Sequence, residues 1–404
     1  MKKRSIINLK KRDNSILGKL IFFLIWPFGS FLYSVLTAKT KSSQVIFYLF
    51  FILFGWSFIA EIESRDSFRY VQEFKSFSSS PVANYIDTII NYVTLDSSVK
   101  DIYAQTAYLL ASIIAGNNYH LLLALFAAVF GFFYVKSLGF MLNNKEFDYS
   151  IPSVFVVACF ALSNPIFNIN GVRYWTAAWV FCFACFSFFV SNDRKLIFLI
   201  LITPLIHIAF IIPVALFWIY YFFAKSYIVL IICYGLSFFI GGVSELLLSK
   251  QSLFPPVIQN MIESYTGMSV SHEGQNWTWY GEIAQKFPYY YLNILVIFLL
   301  MNLKYIKSHK MSNRIMMFVL VLFSFVNVTM SIPSLGGRLY MLIIPFLMFL
   351  CLIWKNRMPN LIYLIYLIPI AFIRPVYIWF FHTKSVSDPI LYISNFFHII
   401  IKNS

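Results

Sequence analysis

Apolar residues run nearly unbroken in stretches of about 20 along most of the chain, long enough for an α-helix to cross the roughly 30 Å hydrocarbon layer. The runs predict spans at Gln44 to Ala60, Asn118 to Leu142, Ile151 to Phe167, Val172 to Val190, Tyr227 to Leu247, Pro288 to Tyr305, Arg314 to Ile332, Leu339 to Trp354 and Leu361 to Phe380. The fold class is all-α: a polytopic integral membrane protein forming a single membrane domain over residues 1–404, with about 9 to 11 transmembrane helices plus helical hairpins.

Two apolar stretches break the pattern. Ile16 to Leu36 carries Trp26-Pro27-Phe28-Gly29 at its centre and lysines at both ends, Lys19 on one side and Lys39 with Lys41 on the other. Residues 1–43 are therefore expected to form a basic cytoplasmic arm followed by a re-entrant dip. Leu196 to Ala224 holds Pro204 and Pro213 and is bracketed by Arg194-Lys195 and Lys225, which predicts a helical hairpin turning near His207.

Charge supports both returns. With them, the cytoplasmic segments hold 20 Lys and Arg against Asp13, Glu146, Asp148 and Asp193, and the other acids of the chain fall on the opposite face. If residues 196–224 crossed once, Lys304, Lys307, Lys310, Arg314, Lys355 and Arg357 would all move outside, against the positive-inside rule. Two long polar segments, 61–117 and 248–287, then form outer loops, and loops of this length usually carry function. Their aromatics, including Trp277-Thr278-Trp279-Tyr280, suit either an interfacial belt or sugar-stacking faces.

Composition closes off other classes. The chain is 60% hydrophobic and 12% charged, more apolar than a water-soluble core can enclose. Its net charge of +15 is a membrane address, not a nucleic-acid footprint. Cys159, Cys182, Cys185, Cys233 and Cys351 all sit inside apolar runs, so the Cys182/Cys185 spacing reads as packing, without a metal or redox role. No cleavage site follows the first apolar run, so the basic start is expected to stay on the protein.

Charged side chains at membrane depth are costly and need a partner or a task. Arg173 follows the turn Asn168-Ile169-Asn170-Gly171-Val172, and Arg338 lies in Gly336-Gly337-Arg338-Leu339-Tyr340. Both are expected at outer helix starts, where unpaired backbone N–H groups favour an anion, and together they describe a phosphate site; headgroup snorkelling is the alternative. His207, at the hairpin turn, is either a hydrogen-bonded structural residue or a group for binding and proton transfer. In the first outer loop Asp66 and Tyr70 share a helix face, with Arg65 and Arg69 beside it, which is a candidate site or an ion-pair ladder.

The Asp66–Tyr70–Phe74 spacing, the element Asn170-Gly171-Val172-Arg173-Tyr174 with Ala177 after it, the apolar run to His207 and the late Gly337-Arg338-Leu339-Tyr340 resemble the EpsG family of Wzy-type polysaccharide polymerases, over roughly Glu61 to Trp354. Where such proteins commonly carry glutamine after the first arginine, this chain has Tyr174. The resemblance implies a membrane glycosyltransferase of GT-C-like architecture in the bacterial cytoplasmic membrane, with its N-terminus inside and its site on the outer face. It would join polyprenyl-diphosphate-linked oligosaccharide repeat units, donor to acceptor, with membrane lipids and a chain-length regulator protein as partners. Arg173 and Arg338 would stabilise the leaving diphosphate without a metal or cofactor, and His207 or Asp66 would be the base. Arg65, Arg69, Tyr70, Asn170, Tyr280 and Tyr340 are the expected substrate contacts. An O-antigen ligase, a lipid-linked glycan flippase or transporter, and a membrane O-acyltransferase are the rival readings; a transporter would show two corresponding halves, which are absent from this sequence.

Overall fold

The computed structural model describes residues 16–60, 66–94, 101–240, 249–253, 259, 263, 279–330, 332–373, 375–377, 383 and 386–402. Expectations that fall on Arg65 and on most of the 248–287 segment lie outside these residues, as do those on the side chain of Tyr280. The helices are α1 (Ile16–Ile25), α2 (Pro27–Leu36), α3 (Lys41–Trp56), α4 (Asp66–Phe77), α5 (Pro81–Val93), α6 (Tyr103–Ala115), α7 (Tyr119–Leu142), α8 (Ile151–Leu162), α9 (Val172–Val190), α10 (Ile197–Ile206), α11 (Ile211–Phe223), α12 (Tyr227–Ser237), α13 (Trp279–Met301), α14 (Leu303–Ser308), α15 (Lys310–Thr329), α16 (Pro333–Trp354) and α17 (Pro359–Tyr366). Short helical segments follow at Ile368–Ala371, Ile390–Ile393 and Phe396–Lys402. The protein is all-helical among the described residues, apart from one isolated bridge between Phe58 and Ser387.

Among the described residues, four stretches are long and apolar enough to cross a membrane: Tyr119–Leu142, Ile151–Val190, Lys310–Thr329 and Leu335–Trp354. The second is 40 residues long. A straight helix of that length would reach about 60 Å, twice the hydrocarbon layer. It is in fact divided by a 3-10 turn at Ile166–Gly171. The remaining apolar runs form shorter helices, because proline and other breaks interrupt them.

Two differences from the sequence reading matter for the site. Within the expected outer loop, residues 66–77, 81–93 and 103–115 form three helices, α4 to α6, carrying a buried apolar face of Tyr70, Phe74, Phe77, Ala107, Tyr108 and Ala111. The last long helix, α16, begins at Pro333 and not at Leu339. Proline at the first helical position costs no hydrogen bond, so Pro333 starts the helix early and places Arg338 in its second turn. The unpaired amides of that helix start belong to the turn before Arg338, not to Arg338 itself. Gly336 permits this geometry: a Cβ there would stand 2.6 Å from the Thr329 carbonyl oxygen, so only glycine lets α16 leave α15 so closely.

Small residues set the tightest helix crossing. A Cβ on Gly55 of α3 would stand 2.5 Å from both the Ala127 Cβ and the Leu123 carbonyl oxygen of α7. One turn further along α7, Gly131 accepts Phe51. Helices surrounded by lipid gain little from the hydrophobic effect on meeting, and close approach of small residues supplies the dispersion contact instead. Across α12, α13 and α15 the glue is polar: the Tyr234 hydroxyl donates to Asn293 Oδ1 at 2.6 Å, the Tyr289 hydroxyl to Asn327 Oδ1 at 2.8 Å, and Asn327 Nδ2 to Ser237 Oγ at 2.9 Å.

Both proline-broken stretches double back. Lys19 near the start of α1 donates to Thr37, Thr40 and Ser43, beyond the end of α2, so α1 and α2 lie antiparallel. The tip of this pair is met by the end of the chain, where Trp26 Nε1 donates to the Tyr392 carbonyl at 2.8 Å. In the second stretch, the end of α10 accepts from the Ile102 amide through the Leu205 carbonyl at 3.1 Å. The far end of α11 instead sets Tyr220 edge to face against Phe189 and Tyr221 tilted against Phe188, at the C-terminal end of α9. The chain therefore reverses between these two helices, at His207.

The bundle thus has two distinct ends. One gathers Lys39 on the Phe147 carbonyl, Lys355 on Asp148, and Arg314 on Asn192 and the Phe188 ring. The other gathers residues 57–60, the start of α4, the start of α6, the 3-10 turn, His207 and the start of α16.

Candidate active site

The site is built where α9 leaves the 3-10 turn. The turn is fastened by its own amides: Asn168 Nδ2 donates to Asn164 Oδ1 at 2.8 Å, Asn164 Nδ2 to the Trp175 carbonyl at 3.1 Å, and the Trp179 indole to the Asn164 carbonyl at 3.0 Å. Asn170, expected to touch substrate, accepts from the Ser67 amide through Oδ1 at 3.3 Å and ties the first turn of α4 to this element. Gly171 keeps the junction open, because a Cβ there would press on Trp175 at 3.3 Å with the Asp66 carboxylate 3.9 Å away.

Arg173 points from the first turn of α9 to a buried partner. Its Nη1 donates to Asp101 Oδ2 at 2.9 Å, and its Nε to the Tyr70 hydroxyl at 3.2 Å. The guanidinium also lies over the Tyr70 ring, 5.2 Å from its centroid. Asp101 is only 1% exposed. Burial pushes its carboxyl up to about 6, while the Arg173 charge and the Ala104 amide pull the other way. Burial likewise raises the Tyr70 phenol above its ordinary value, so Tyr70 acts as a neutral acceptor towards Arg173.

Tyr174, one residue on, is the hub of the second half. The Arg338 guanidinium lies 5.3 Å from the centroid of its ring. The His207 imidazole meets the same ring edge to face at 5.3 Å, and Phe210 closes on it at 5.0 Å. Aromatic faces attract cations and aromatic edges, so one phenol ring holds an arginine from α16 and the histidine from the α10–α11 turn.

His207 has extended backbone, φ −155° and ψ 120°, where the helical path breaks. Its Nδ1 accepts from the Ala209 amide at 3.2 Å. A ring nitrogen that accepts carries no proton, so the neutral imidazole holds its proton on Nε2.

The structure brings Arg173, His207 and Arg338 together, with Asp66, Tyr70 and Asn170 along the α4 side. Asp66 pairs with Arg69 at 3.2 Å and Arg69 with Glu73 at 3.5 Å, an exposed ladder along α4. Tyr340 is not part of the cluster: two residues past Arg338 it faces the other side of α16 and packs on the core. Sequence reasoning missed Asp101 and the hub role of Tyr174. Asp101 carries only a local signal, an acid just ahead of a helix, and nothing in its neighbourhood names a partner 72 positions away. Tyr174 was visible as a departure from the family pattern, but not as the contact between Arg338 and His207.

Comparison with curated proteins and with solved structures gives no match. A family model does match, over residues 45–394, which takes in α4, the 3-10 turn, His207 and Arg338, and the chain belongs to the EpsG family.

Proposed function

We propose that this protein is a membrane glycosyltransferase of GT-C-like architecture that polymerises polyprenyl-diphosphate-linked oligosaccharide repeat units on the outer face of the cytoplasmic membrane. Membership of the EpsG family supports the reaction class. The observation that carries the assignment of the site is the single cluster in which Arg338 and His207 meet on Tyr174, one residue from Arg173. The positive-inside rule supports the orientation, since Lys39, Lys145, Arg314 and Lys355 lie at the end opposite this cluster.

In this reading an acceptor hydroxyl attacks the anomeric carbon of the donor glycan. The bond from that carbon to the diphosphate oxygen breaks, and the diphosphate leaves with the electron pair. Arg338 and Arg173 meet the developing negative charge with planar paired donors. The hydroxyl proton passes to Asp66, whose carboxylate is held by Arg69 on α4 beside the 3-10 turn. His207, with its proton on Nε2, donates a hydrogen bond to substrate oxygen in place of acting as the base.

The test is polymer formation by purified protein from lipid-linked repeat units. Ladders of extended glycan on the lipid carrier are the expected product. Transfer that needs a different, non-repeat-unit acceptor would point to a ligase instead, and no transfer at all would remove the proposal. In cells, deletion of the gene should leave single lipid-linked repeat units in place of polymer.

A further inference from the structure

We propose that Asp101 is a positioning residue that fixes the Arg173 guanidinium in one orientation and ties it to the turn bearing His207. The geometry has two arms. Through its side chain Asp101 holds Nη1 of Arg173 at 2.9 Å, while Tyr70 occupies Nε from α4 at 3.2 Å. Two of the three guanidinium nitrogens are thereby used by the protein. Nη2 makes no hydrogen bond to the described residues, and the side chain keeps 16% of its surface exposed. Through the next backbone amide, Ile102 N–H donates to the Leu205 carbonyl, two residues before His207. The stretch Asp101-Ile102 therefore touches both the arginine of α9 and the last turn of α10.

An arginine that merely snorkels to headgroups needs no buried carboxylate, and burying one is costly unless the pair is well made. What the pair gains is a planar fork held from two sides, at Nη1 and Nε, with the direction of the remaining donor, Nη2, set by the protein. Small misplacement of a charge-stabilising group is enough to lose most of its effect. The groups that face Asp101 are Arg173 from α9, Glu73 from α4, Tyr92 from α5 and Tyr103 at the start of α6. Arg173 is the cation among them, so protonation of Asp101 would loosen this contact before any other.

The catalytic consequence rests on the polymerase reading; the orientation of Arg173 does not, and two measurements separate them. In the first, full-length protein in lipid nanodiscs is treated with p-hydroxyphenylglyoxal, and modification of Arg173 and Arg314 is followed by peptide mass spectrometry. Asp101→Asn should speed modification of Arg173 several-fold and leave Arg314, at the other end of the bundle, unchanged. Asp101→Glu retains the charge, is expected to fold, and should restore most of the protection. Equal Arg173 rates in wild type and Asp101→Asn would overturn the proposal, whatever the reaction is. In the second, polymer formation should fall about 10- to 100-fold in kcat in Asp101→Asn, with KM and thermal unfolding near wild type. The wild-type decline in rate below about pH 6 should be absent from that variant. In an Arg173→Ala background the same change should cost less than about threefold, because the group it positions is gone. A full additive loss there would show that Asp101 acts independently of Arg173. If wild-type protein makes no polymer, the polymerase reading fails alone, and the Arg173 reactivity still decides the inference.

Discussion

The two ends of this helical bundle use cations in opposite ways. At the end bearing Lys19 and Lys355, positive charge is used up in fastening. The Lys19 ammonium is 1% exposed and gives its three protons to the hydroxyls of Thr37 at 3.0 Å, Thr40 at 3.0 Å and Ser43 at 2.7 Å. Lys355, 2% exposed, closes on Asp148 at 2.9 Å, joining the end of α16 to the start of α8. At the other end, Arg173 is engaged through Nη1 and Nε, and the Arg338 guanidinium lies over the Tyr174 ring. An ammonium with three short hydroxyl contacts is spent on architecture, whereas the planar Arg173 guanidinium, held through Nη1 and Nε, keeps Nη2 without a hydrogen bond to the described residues. In the proposed reading, this difference separates anchoring charge from working charge.

The comparison breaks most decisively at the arginines. Arg173→Lys and Arg338→Lys preserve charge but not the paired donors, and each is expected to lower polymer formation by about 100- to 1,000-fold at unchanged abundance. The double Arg→Ala variant should be little worse than either single one, since both act on one leaving group. Wild-type polymer from either lysine variant would put that end in the same class as the other.

The opposite end should behave in reverse. Lys19→Met removes the three hydrogen bonds that its ammonium gives to Thr37, Thr40 and Ser43 and is expected to cost about 1–3 kcal/mol of stability. Thermal unfolding in nanodiscs and protein yield should both fall, while activity per folded molecule stays at the wild-type level. Lost activity without lost yield would show that Lys19 is not a fastening.

Acid should sharpen the same contrast more gently. Against a partial burial that would raise it, the hydroxyls of Ser150 and Ser153 and the ammonium of Lys355 hold the Asp148 carboxyl below its ordinary 3.8. A depressed pKa stabilises the fold above the unfolded value, so this contribution is present above about pH 4 and is lost as the pH falls below it. Asp148 is half exposed, and the effect should stay within about 1 kcal/mol. Lys355→Ala should flatten the pH dependence of thermal unfolding in that window.

The smallest effect concerns Tyr174. If its ring, not its hydroxyl, organises Arg338 and His207, Tyr174→Phe should stay within about twofold of wild type, and Tyr174→Leu should lose about two- to fivefold beyond that. Equal losses in the two variants would move the role to the hydroxyl.

Much of this protein was legible along the chain because the information is local. The helix Val172–Val190 begins after the glycine turn and ends with its apolar run, and Tyr119–Leu142 starts just after Asn118, whose side chain accepts from the His120 and Leu121 amides. Pro204 and Pro213 mark the region where the helical path breaks at His207. Arg173, His207 and Arg338 announced themselves because charge or imidazole within apolar runs is costly wherever the fold puts it. What the sequence could not determine was which groups would meet. The first polar segment folds into α4 to α6 because its apolar positions gain a surface to bury against, a gain that exists only once α7 and α9 are in place. Asp101 finds Arg173 across 72 positions, and Trp26 finds Tyr392 across 366, through packing that no periodicity encodes. Hydropathy fixes how each segment meets lipid, residue by residue; partners inside the bundle are chosen by shape and by the cost of leaving a buried polar group unpaired, and those are properties of the assembled helices alone.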